Sequence, residues 1–249
     1  MATNKPDKPQ RNRTGPLKTR FREACNDNEL EIGVDEAGRG PLFGRLYVAA
    51  TILPKFDFRH EWMKDSKRFS SQTKIREVAE YIKQNAVAWT VKYAEPEVID
   101  EINIRQAVLK TMRECCRDLI ERAGPGSSDR FCLLVDGNDF PVYTHFDPVA
   151  ETLVEIESRT IEGGDNQYTC IAAASILAKV ARDDWIAELC DAHPFLKDWY
   201  GIDKNKGYGT AEHMRGIRER GITVWHRRSY GPCKTATIVD SPECVIKNK

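Results

Sequence analysis

Long apolar runs are missing from this sequence of 249 residues: no stretch approaches the roughly 20 apolar residues that a membrane-spanning helix needs. The first residues also lack the apolar segment of a secretory signal peptide. The eight cysteines lack the CxxC spacing of metal sites, and without a leader there is no reason to expect disulfides. We therefore expect an intracellular, cytoplasmic protein with reduced cysteines and no role at a membrane.

The sequence also lacks a net charge: its 38 Lys and Arg residues balance its 38 Asp and Glu residues. The distribution is uneven. Residues 1–28 carry seven basic against three acidic residues, residues 201–249 carry ten against five, and the middle carries 21 against 30. A basic end beside an acidic centre favours a phosphate-binding surface next to a carboxylate cluster, although solvated charge at both ends explains the same pattern.

Composition divides the chain into three parts. Residues 1–28 have few large apolar residues and many Lys, Arg, Asn and Pro, which predicts a disordered basic tail; a mitochondrial presequence is the alternative, which the prolines disfavour. Residues 29–191 have regular apolar patterns and are predicted to form one domain. Residues 192–249 are predicted to be a mostly helical region with a short tail.

Five strands are predicted in the central part. Residues 30–35 and 45–53 are joined by a Gly-rich turn and 87–94 follow, which indicates an antiparallel meander. Residues 131–136 form a short apolar run of the kind found in parallel sheets, and 153–161 alternate.

Helical apolar spacing covers residues 73–86 and 97–120, and an Ala-rich helix covers 170–190. Strands come first and then alternate with helices. This order predicts an α/β fold in which helices flank a mixed β-sheet.

Acidic residues stand at the ends of three predicted core elements. Asp35 and Glu36 end the first strand, Asp136 ends the fourth, and Asp165 precedes the Ala-rich helix. Because ligand sites gather at strand ends in such sheets, we expect these side chains to meet at one edge. Four uncompensated carboxylates would repel one another unless cations lie between them, and oxygen ligands favour Mg²⁺ or Mn²⁺ over Zn²⁺.

Each acid also has an ordinary structural explanation. Asp165 fits the N-cap of the following helix, and Asp136 fits a turn. Asp183 and Asp184 are rival metal ligands, although acids in the middle of a helix equally pair with Arg182 or face water.

Seven short motifs occur together in this chain, over about residues 30 to 232. They are DEAGRGP (35–41), DSK (65–67), VDGN (135–138), GGD (163–165), AAASILAKVARD (172–183), KGYGT (206–210) and HRRSY (226–230). In this order they resemble ribonuclease HII.

The resemblance implies a ribonuclease H-like fold with a mostly helical C-terminal extension. It carries the catalytic and metal-binding roles over to Asp35, Glu36, Asp136 and Asp165, which would hold two Mg²⁺ or Mn²⁺ ions. The expected partners are RNA–DNA hybrids and duplex DNA that contains ribonucleotides. Cleavage is expected on the 5′ side of the ribonucleotide, leaving a 5′-phosphate, by a protein that acts as a monomer.

The resemblance also implies residues that bind substrate. The turn of Gly38, Arg39 and Gly40 would read the 2′-hydroxyl together with Tyr208, whose ring would stack on the next sugar. Polar side chains suited to phosphate contacts complete the set, and these are Lys67, Lys179, Lys206, Arg227 and Ser229. The structural alternatives are a tight glycine turn, a packed tyrosine and solvated surface charge.

Three features depart from the usual family pattern: Asn205 stands where a histidine is common, Tyr230 stands where phenylalanine is frequent, and the interval between Asp136 and Asp165 is long. The long interval weakens only the assignment of Asp165. Ribonuclease HIII is the nearest rival family, and a non-catalytic hybrid-binding subunit is the rival from another class. A non-catalytic subunit would be expected to lose one or more of the acids.

Overall fold

The structure is a computed structural model that describes residues 15–21, 29–124 and 130–239. Its strands are β1 (Leu30–Ala37), β2 (Leu46–Ile52), β3 (Ala88–Ala94), β4 (Phe131–Asp136), β5 (Tyr143–Asp147) and β6 (Thr152–Ile161). Its α-helices are α1 (Gln72–Asn85), α2 (Pro96–Arg122), α3 (Thr169–Ala192), α4 (Phe195–Tyr200), α5 (Ile202–Asn205) and α6 (Ala211–Arg220).

The six strands form one mixed sheet in the order β3-β2-β1-β4-β6-β5. The first three strands are the predicted antiparallel meander, while β1 pairs with β4, and β4 with β6, in parallel. The predicted fold class is therefore confirmed: helices flank a mixed sheet, and further helices follow at the C-terminal end. The parallel pairs bring the carboxyl ends of β1, β4 and β6 to the same edge of the sheet.

Two strand predictions need correction. The first strand was predicted to end at the two acids, but it continues to Ala37, so Asp35 and Glu36 lie inside β1. The edge strand β5 was not predicted, because in its sequence YTHFD only Tyr143 and Asp147 are buried and no apolar alternation marks it.

Helix α2 covers one face of the sheet, and α1 and α3 cover the other. The Ala-rich part of α3 lies very close to β1: a Cβ atom on Gly33 would stand 2.3 Å from the carbonyl carbon of Cys170. Ala172, Ala173 and Ala174 are fully buried at this contact. Small residues on both elements therefore fix the helix against the strand that carries the first two acids.

The predicted helix over 97–120 contains a break that its apolar spacing does not reveal. Asn103 has φ 65°, outside the helical region, and its side-chain oxygen accepts a hydrogen bond of 3.1 Å from the Gln106 N–H. The second half of α2 therefore begins with its own N-cap, the role that Asn serves best.

A separate apolar cluster joins the C-terminal helices to the main domain. Phe43, from the turn after β1, packs with Ile186 of α3 and with Leu196, Tyr200 and Ile217 from α4 and α6. The C-terminal region is therefore anchored to the Gly-rich turn. Within the described ranges, no helix is both long enough and apolar enough to cross a bilayer.

The prediction of a disordered tail over residues 1–28 is wrong for residues 15–21, which we call the N-terminal strap. Lys18 pairs with the segment before α3: its N–H donates to the Gln167 carbonyl at 2.8 Å, and its carbonyl accepts from the Thr169 N–H at 3.0 Å. Leu17 and Phe21 pack on the two apolar clusters beside α3. Residues 1–14 and 22–28 lie outside the described part of the chain.

Deleting residues 1–21 is expected to destabilise the protein by about 1–3 kcal/mol, because Leu17 and Phe21 lose buried apolar contacts. Deleting only residues 1–14 keeps the strap and is the matched control. Urea unfolding of both variants measures the difference. Equal stability of the two variants would show that the strap contributes nothing to the fold.

Candidate active site

The structure brings the four predicted acids to one edge of the sheet. In the parallel register Val34 lies opposite Val135, so Asp35 of β1 and Asp136 of β4 are neighbours. The short 3₁₀ turn after β6 carries Asp165, and the N–H of Gly164 in that turn donates to an Asp136 carboxylate oxygen at 2.7 Å. This hydrogen bond ties the turn after β6 to the end of β4.

Asp35 is the most buried acid of the cluster, with 5% of its surface exposed. Burial first, and then the negative charges of Asp136 and Glu36, raise the pKa of its carboxyl well above the ordinary value. A hydrogen bond with the Ser175 hydroxyl of α3 acts in the opposite direction. That hydroxyl is itself 3.2 Å from the Ser66 hydroxyl, which links the site to the DSK motif.

The other three acids are perturbed in the same sense. Burial raises the pKa of Glu36, of Asp136 and of Asp165, the last to about 6 with help from Asp65 and Asp136. Lys67 lowers the pKa of all three, so its positive charge acts on the cluster although its side chain is exposed. Negative charge is thus held together at a cost in free energy, which a cation would remove.

The donor set fits hard divalent cations. All four side chains offer carboxylate oxygens, the ligands that Mg²⁺ and Mn²⁺ take in proteins. Among residues 15–21, 29–124 and 130–239, no three His, Cys, Asp or Glu side chains are arranged closely enough to hold an ion as they stand. The fit therefore rests on the chemistry of the donors and on their mutual repulsion.

The structure shows what three of the acids contact. Asp165 is not the N-cap of α3, because that helix begins at Thr169 and its cap residue is Tyr168. Asp183 accepts a hydrogen bond of 2.6 Å from Lys179, and Asp184 pairs with Arg76 at 3.0 Å. Both rival ligands are therefore occupied by basic side chains, and neither pairs with Arg182.

The two predicted substrate-reading elements lie side by side. Gly38 has φ +96°, a conformation that other residues rarely adopt, and Arg39 and Gly40 are exposed. Tyr208 is 52% exposed, and its ring lies 3.6 Å from the position that a Cβ on Gly40 would take. The Leu42 N–H donates to the Gly207 carbonyl at 2.9 Å and so ties the two segments together.

The predicted phosphate contacts have different environments. Lys67 is exposed beside the acids, whereas the charge of Lys179 is already paired with Asp183. Lys206 is partly buried, and the Ser229 hydroxyl donates to an Asp100 carboxylate oxygen at 2.6 Å.

The expectation that Arg227 contacts phosphate is wrong for this structure, because its side chain is fully buried. Its guanidinium instead donates to backbone carbonyls of the turn after β1.

Sequence reasoning missed a buried histidine pair behind Tyr208. The Thr223 N–H donates to Nδ1 of His226 at 3.0 Å, so the proton of that ring sits on Nε2. Nε2 of His226 donates to Nε2 of His213 at 3.0 Å, and Nδ1 of His213 donates to the Tyr208 carbonyl at 3.0 Å. Two neutral imidazoles thus complete a chain of hydrogen bonds that ends on the Tyr208 carbonyl. His226 is the first residue of the HRRSY motif, and His213 follows the KGYGT motif by three residues. Neither motif indicates that the two histidines contact each other.

Lowering the pH is expected to destabilise the protein through this pair. Burial, and then the neighbouring His213, lower the pKa of His226 to about 3, and burial lowers that of His213. The unfolded chain therefore binds more protons below pH 6.5, and stability is lost as the pH falls from there towards 3. His226 alone should contribute about 1.4 kcal/mol per pH unit, or about 2 kcal/mol between pH 6.5 and 5.

Urea unfolding at pH 5 and pH 7 measures this effect as the difference between the wild type and His226→Gln. The difference between the two proteins is needed because the acids with raised pKa values stabilise the folded protein as the pH falls, which opposes the effect of the histidines. His145→Gln, on the edge strand β5, is the control. An identical pH dependence of wild type and His226→Gln would refute the assignment of two neutral rings.

A sheet of this order, with carboxylates gathered at the ends of its parallel strands, defines the ribonuclease H-like class of fold. Solved structures agree. The ribonuclease HII of a complex with PCNA from Archaeoglobus fulgidus gives a TM-score of 0.58 at 24% identity, covering 81% of this chain and 95% of that one. Bst-RNase HIII in complex with Mn²⁺ gives 0.62 at 16% identity, covering 83% and 68%.

Sequence comparisons define the family within this class. The Ribonuclease HII family model matches residues 32–233. The ribonuclease HII of Bacteroides thetaiotaomicron is 41% identical over 82% of this chain and 91% of its own length, and that of Nitrosomonas europaea is 41% identical over 88% of each. The chain belongs to the ribonuclease HII family, a family of nucleases.

Proposed function

We propose that this protein is an endonuclease that hydrolyses the RNA strand of RNA–DNA hybrids and incises duplex DNA on the 5′ side of embedded ribonucleotides. The main support is that the acidic cluster adjoins the exposed Gly-Arg-Gly turn: the Arg39 guanidinium lies 3.7 Å from the Glu36 carboxylate, and the ring of Tyr208 lies against Gly40. Carboxylates suit phosphodiester hydrolysis with metal ions, and the turn and ring suit recognition of a ribose. We expect it to act in the cytoplasm as a monomer.

Asp35, Glu36, Asp136 and Asp165 would hold two Mg²⁺ or Mn²⁺ ions. When bound, such ions activate water and stabilise the leaving oxygen of the phosphodiester. The chain itself holds the carboxylates in place: the Gly164 N–H fixes Asp136, and the Ser175 hydroxyl fixes Asp35.

Basic residues near the acids would orient the nucleic acid. Lys67 is exposed and acts electrostatically on three of the four acids, so it is placed to hold a phosphate beside them. The guanidinium of Arg39 lies 3.7 Å from the Glu36 carboxylate and is 55% exposed. Such contacts position a duplex without reading its base sequence.

Recognition of the ribonucleotide would fall to the turn and the tyrosine. Glycines at 38 and 40 let backbone groups approach a ribose closely, and the 2′-hydroxyl is what separates RNA from DNA. The exposed ring of Tyr208 lies against the turn, where it would stack on the sugar that follows the ribonucleotide.

A cleavage assay tests the proposal with two duplexes, one that contains a single ribonucleotide and one that contains four in succession. Both should be cut on the 5′ side of a ribonucleotide when Mg²⁺ or Mn²⁺ is present, and neither in EDTA. Cleavage of only the second duplex would favour a ribonuclease HIII-like specificity. Binding of both duplexes without cleavage would favour a non-catalytic hybrid-binding protein.

A further inference from the structure

Arg227 is the largest of the fully buried side chains, and its guanidinium holds the turn between β1 and β2 from behind. Its nitrogens donate to the backbone carbonyls of Gly38 at 2.6 Å, Pro41 at 2.9 Å and Gly44 at 2.9 Å. A further bond of 3.1 Å reaches the Arg39 carbonyl. One side chain from the C-terminal region therefore contacts almost every part of the turn.

A second buried guanidinium completes this arrangement. Arg182 of α3 donates to the carbonyls of Phe43 at 3.2 Å and Arg45 at 3.2 Å, at the other end of the turn. It also donates to the Lys206 carbonyl at 2.9 Å, next to the segment that carries Tyr208. A Cβ on Gly38 would stand 2.3 Å from Nε of Arg182, so this guanidinium also explains why the position is a glycine.

Burying two guanidiniums together is costly, because each loses its hydration and the two charges repel. Burial, and then the positive charge of Arg227, lower the pKa of Arg182 to about 10. Carbonyl dipoles supply the compensation here. Apolar residues would fill the same space at a lower cost in free energy. The two arginines must therefore serve a purpose other than packing, and their hydrogen bonds to the turn indicate it.

The direction of the peptide groups gives the explanation. The carbonyls of Gly38, Arg39 and Pro41 all accept from Arg227, and so they point into the protein. The N–H groups of Arg39 and Gly40 take no part in these bonds, and both residues are exposed. The Tyr230 hydroxyl reinforces this orientation by donating to the Arg39 carbonyl at 2.8 Å.

We propose that Arg227 is a positioning residue that sets the direction of the peptide groups in the Gly-Arg-Gly turn and thereby determines the preference for a single embedded ribonucleotide. This inference rests on the proposed function of the same site. A continuous hybrid has a 2′-hydroxyl on every nucleotide of its RNA strand, so a turn whose N–H groups are displaced can still contact one of them. A single ribonucleotide has only one 2′-hydroxyl, so its cleavage depends on the correct orientation of these N–H groups.

Arg227→Lys tests the proposal, because lysine keeps the charge but is a compact group with three donors that cannot replace a planar fork of five. Arg218→Lys, at an exposed position of α6, is the matched control. Tyr230→Phe removes the second bond to the Arg39 carbonyl and the hydroxyl that accepts from Arg227 at 3.3 Å, but it keeps the ring and all four bonds from Arg227 to the turn, so it carries little risk for folding. For each variant, kcat/KM is measured on the single-ribonucleotide duplex and on a continuous hybrid, with the melting temperature and Mn²⁺ affinity determined alongside.

We expect Arg227→Lys to lower kcat/KM on the single-ribonucleotide duplex about tenfold relative to the hybrid, within the range that a misplacement below about 1 Å costs. Tyr230→Phe should shift the same ratio less, Arg218→Lys should not shift it, and Mn²⁺ affinity should stay unchanged. Equal losses on both substrates, or an unchanged ratio in both Arg227→Lys and Tyr230→Phe, would overturn the proposal. If Arg227→Lys does not fold, Tyr230→Phe decides alone.

Hydrogen exchange of the peptide that covers residues 38–45 separates this inference from the proposed function. Faster exchange there in Arg227→Lys and Tyr230→Phe is expected whether or not the wild type cuts a single ribonucleotide. If the wild type cuts neither substrate while the exchange changes as expected, the proposed function fails and the positioning of the turn stands. Unchanged exchange in both variants would overturn the positioning role itself.

Discussion

Replacing Asp35 by asparagine is expected to lower metal-dependent cleavage by more than about 100-fold, because a neutral amide cannot replace a charged metal ligand. Mutating only the hydrogen-bond partner of a metal ligand already costs about 10–100-fold in metal affinity or activity. Asp136→Asn should behave alike. The same change should stabilise the protein in the absence of metal. Burial and the charges of Asp136 and Glu36 raise the pKa of Asp35, so the ionised carboxylate opposes folding at neutral pH and the amide removes that repulsion.

Single-turnover cleavage at saturating Mg²⁺ or Mn²⁺ measures the first effect, and melting temperature in EDTA measures the second. Added metal should raise the melting temperature of the wild type and have less effect on Asp35→Asn, because the variant binds the ions less well. Asp184→Asn is the matched control: its carboxylate pairs with Arg76, so cleavage should stay close to that of the wild type. Full activity of Asp35→Asn, or its loss in Asp184→Asn, would place the metal site elsewhere.

The acidic cluster could be predicted because two local signals coincide with one rule of topology. Asp35 and Asp136 follow apolar runs that are recognisable as core strands, and parallel strands bring their carboxyl ends to one edge. Asp165 has a structural alternative in the sequence, since an acid before a helix is usually a cap. The structure shows that α3 begins at Thr169 with Tyr168 as its cap residue, so Asp165 does not cap this helix.

Arg227 could not be predicted, because the sequence gives no measure of its depth. Arginine is almost never fully buried unless it is paired, so a basic motif near the chain end is expected at the surface. Its partners are backbone carbonyls about 185 residues away in sequence, and no side-chain pattern marks a carbonyl as an acceptor. The strap was missed for a related reason: Lys18 is held by backbone pairing, which side-chain type does not reveal.

Removing the ring of Tyr208 is expected to separate substrate reading from metal binding. The ring is exposed and lies against Gly40, whereas its backbone carbonyl is held by His213, so Tyr208→Ala removes a stacking surface and leaves the main chain in place. Stacking of a nucleic acid on an aromatic ring contributes roughly 1–3 kcal/mol. Cleavage of the single-ribonucleotide duplex should therefore fall about 5- to 150-fold, since each 1.4 kcal/mol is a factor of ten.

Tyr208→Phe keeps the ring and should stay within about threefold of the wild type, because the stacking surface is unchanged. Phe146→Ala removes a comparably exposed ring on the edge strand β5 and should change cleavage of neither substrate. The loss in Tyr208→Ala should be smaller on a continuous hybrid, where the next sugar is a ribose and the ring has less to select. All variants are compared on both duplexes at saturating Mn²⁺, with Mn²⁺ affinity measured by calorimetry. Equal losses on the two duplexes, or weaker binding of Mn²⁺, would mean that Tyr208 supports the metal site and does not read the junction.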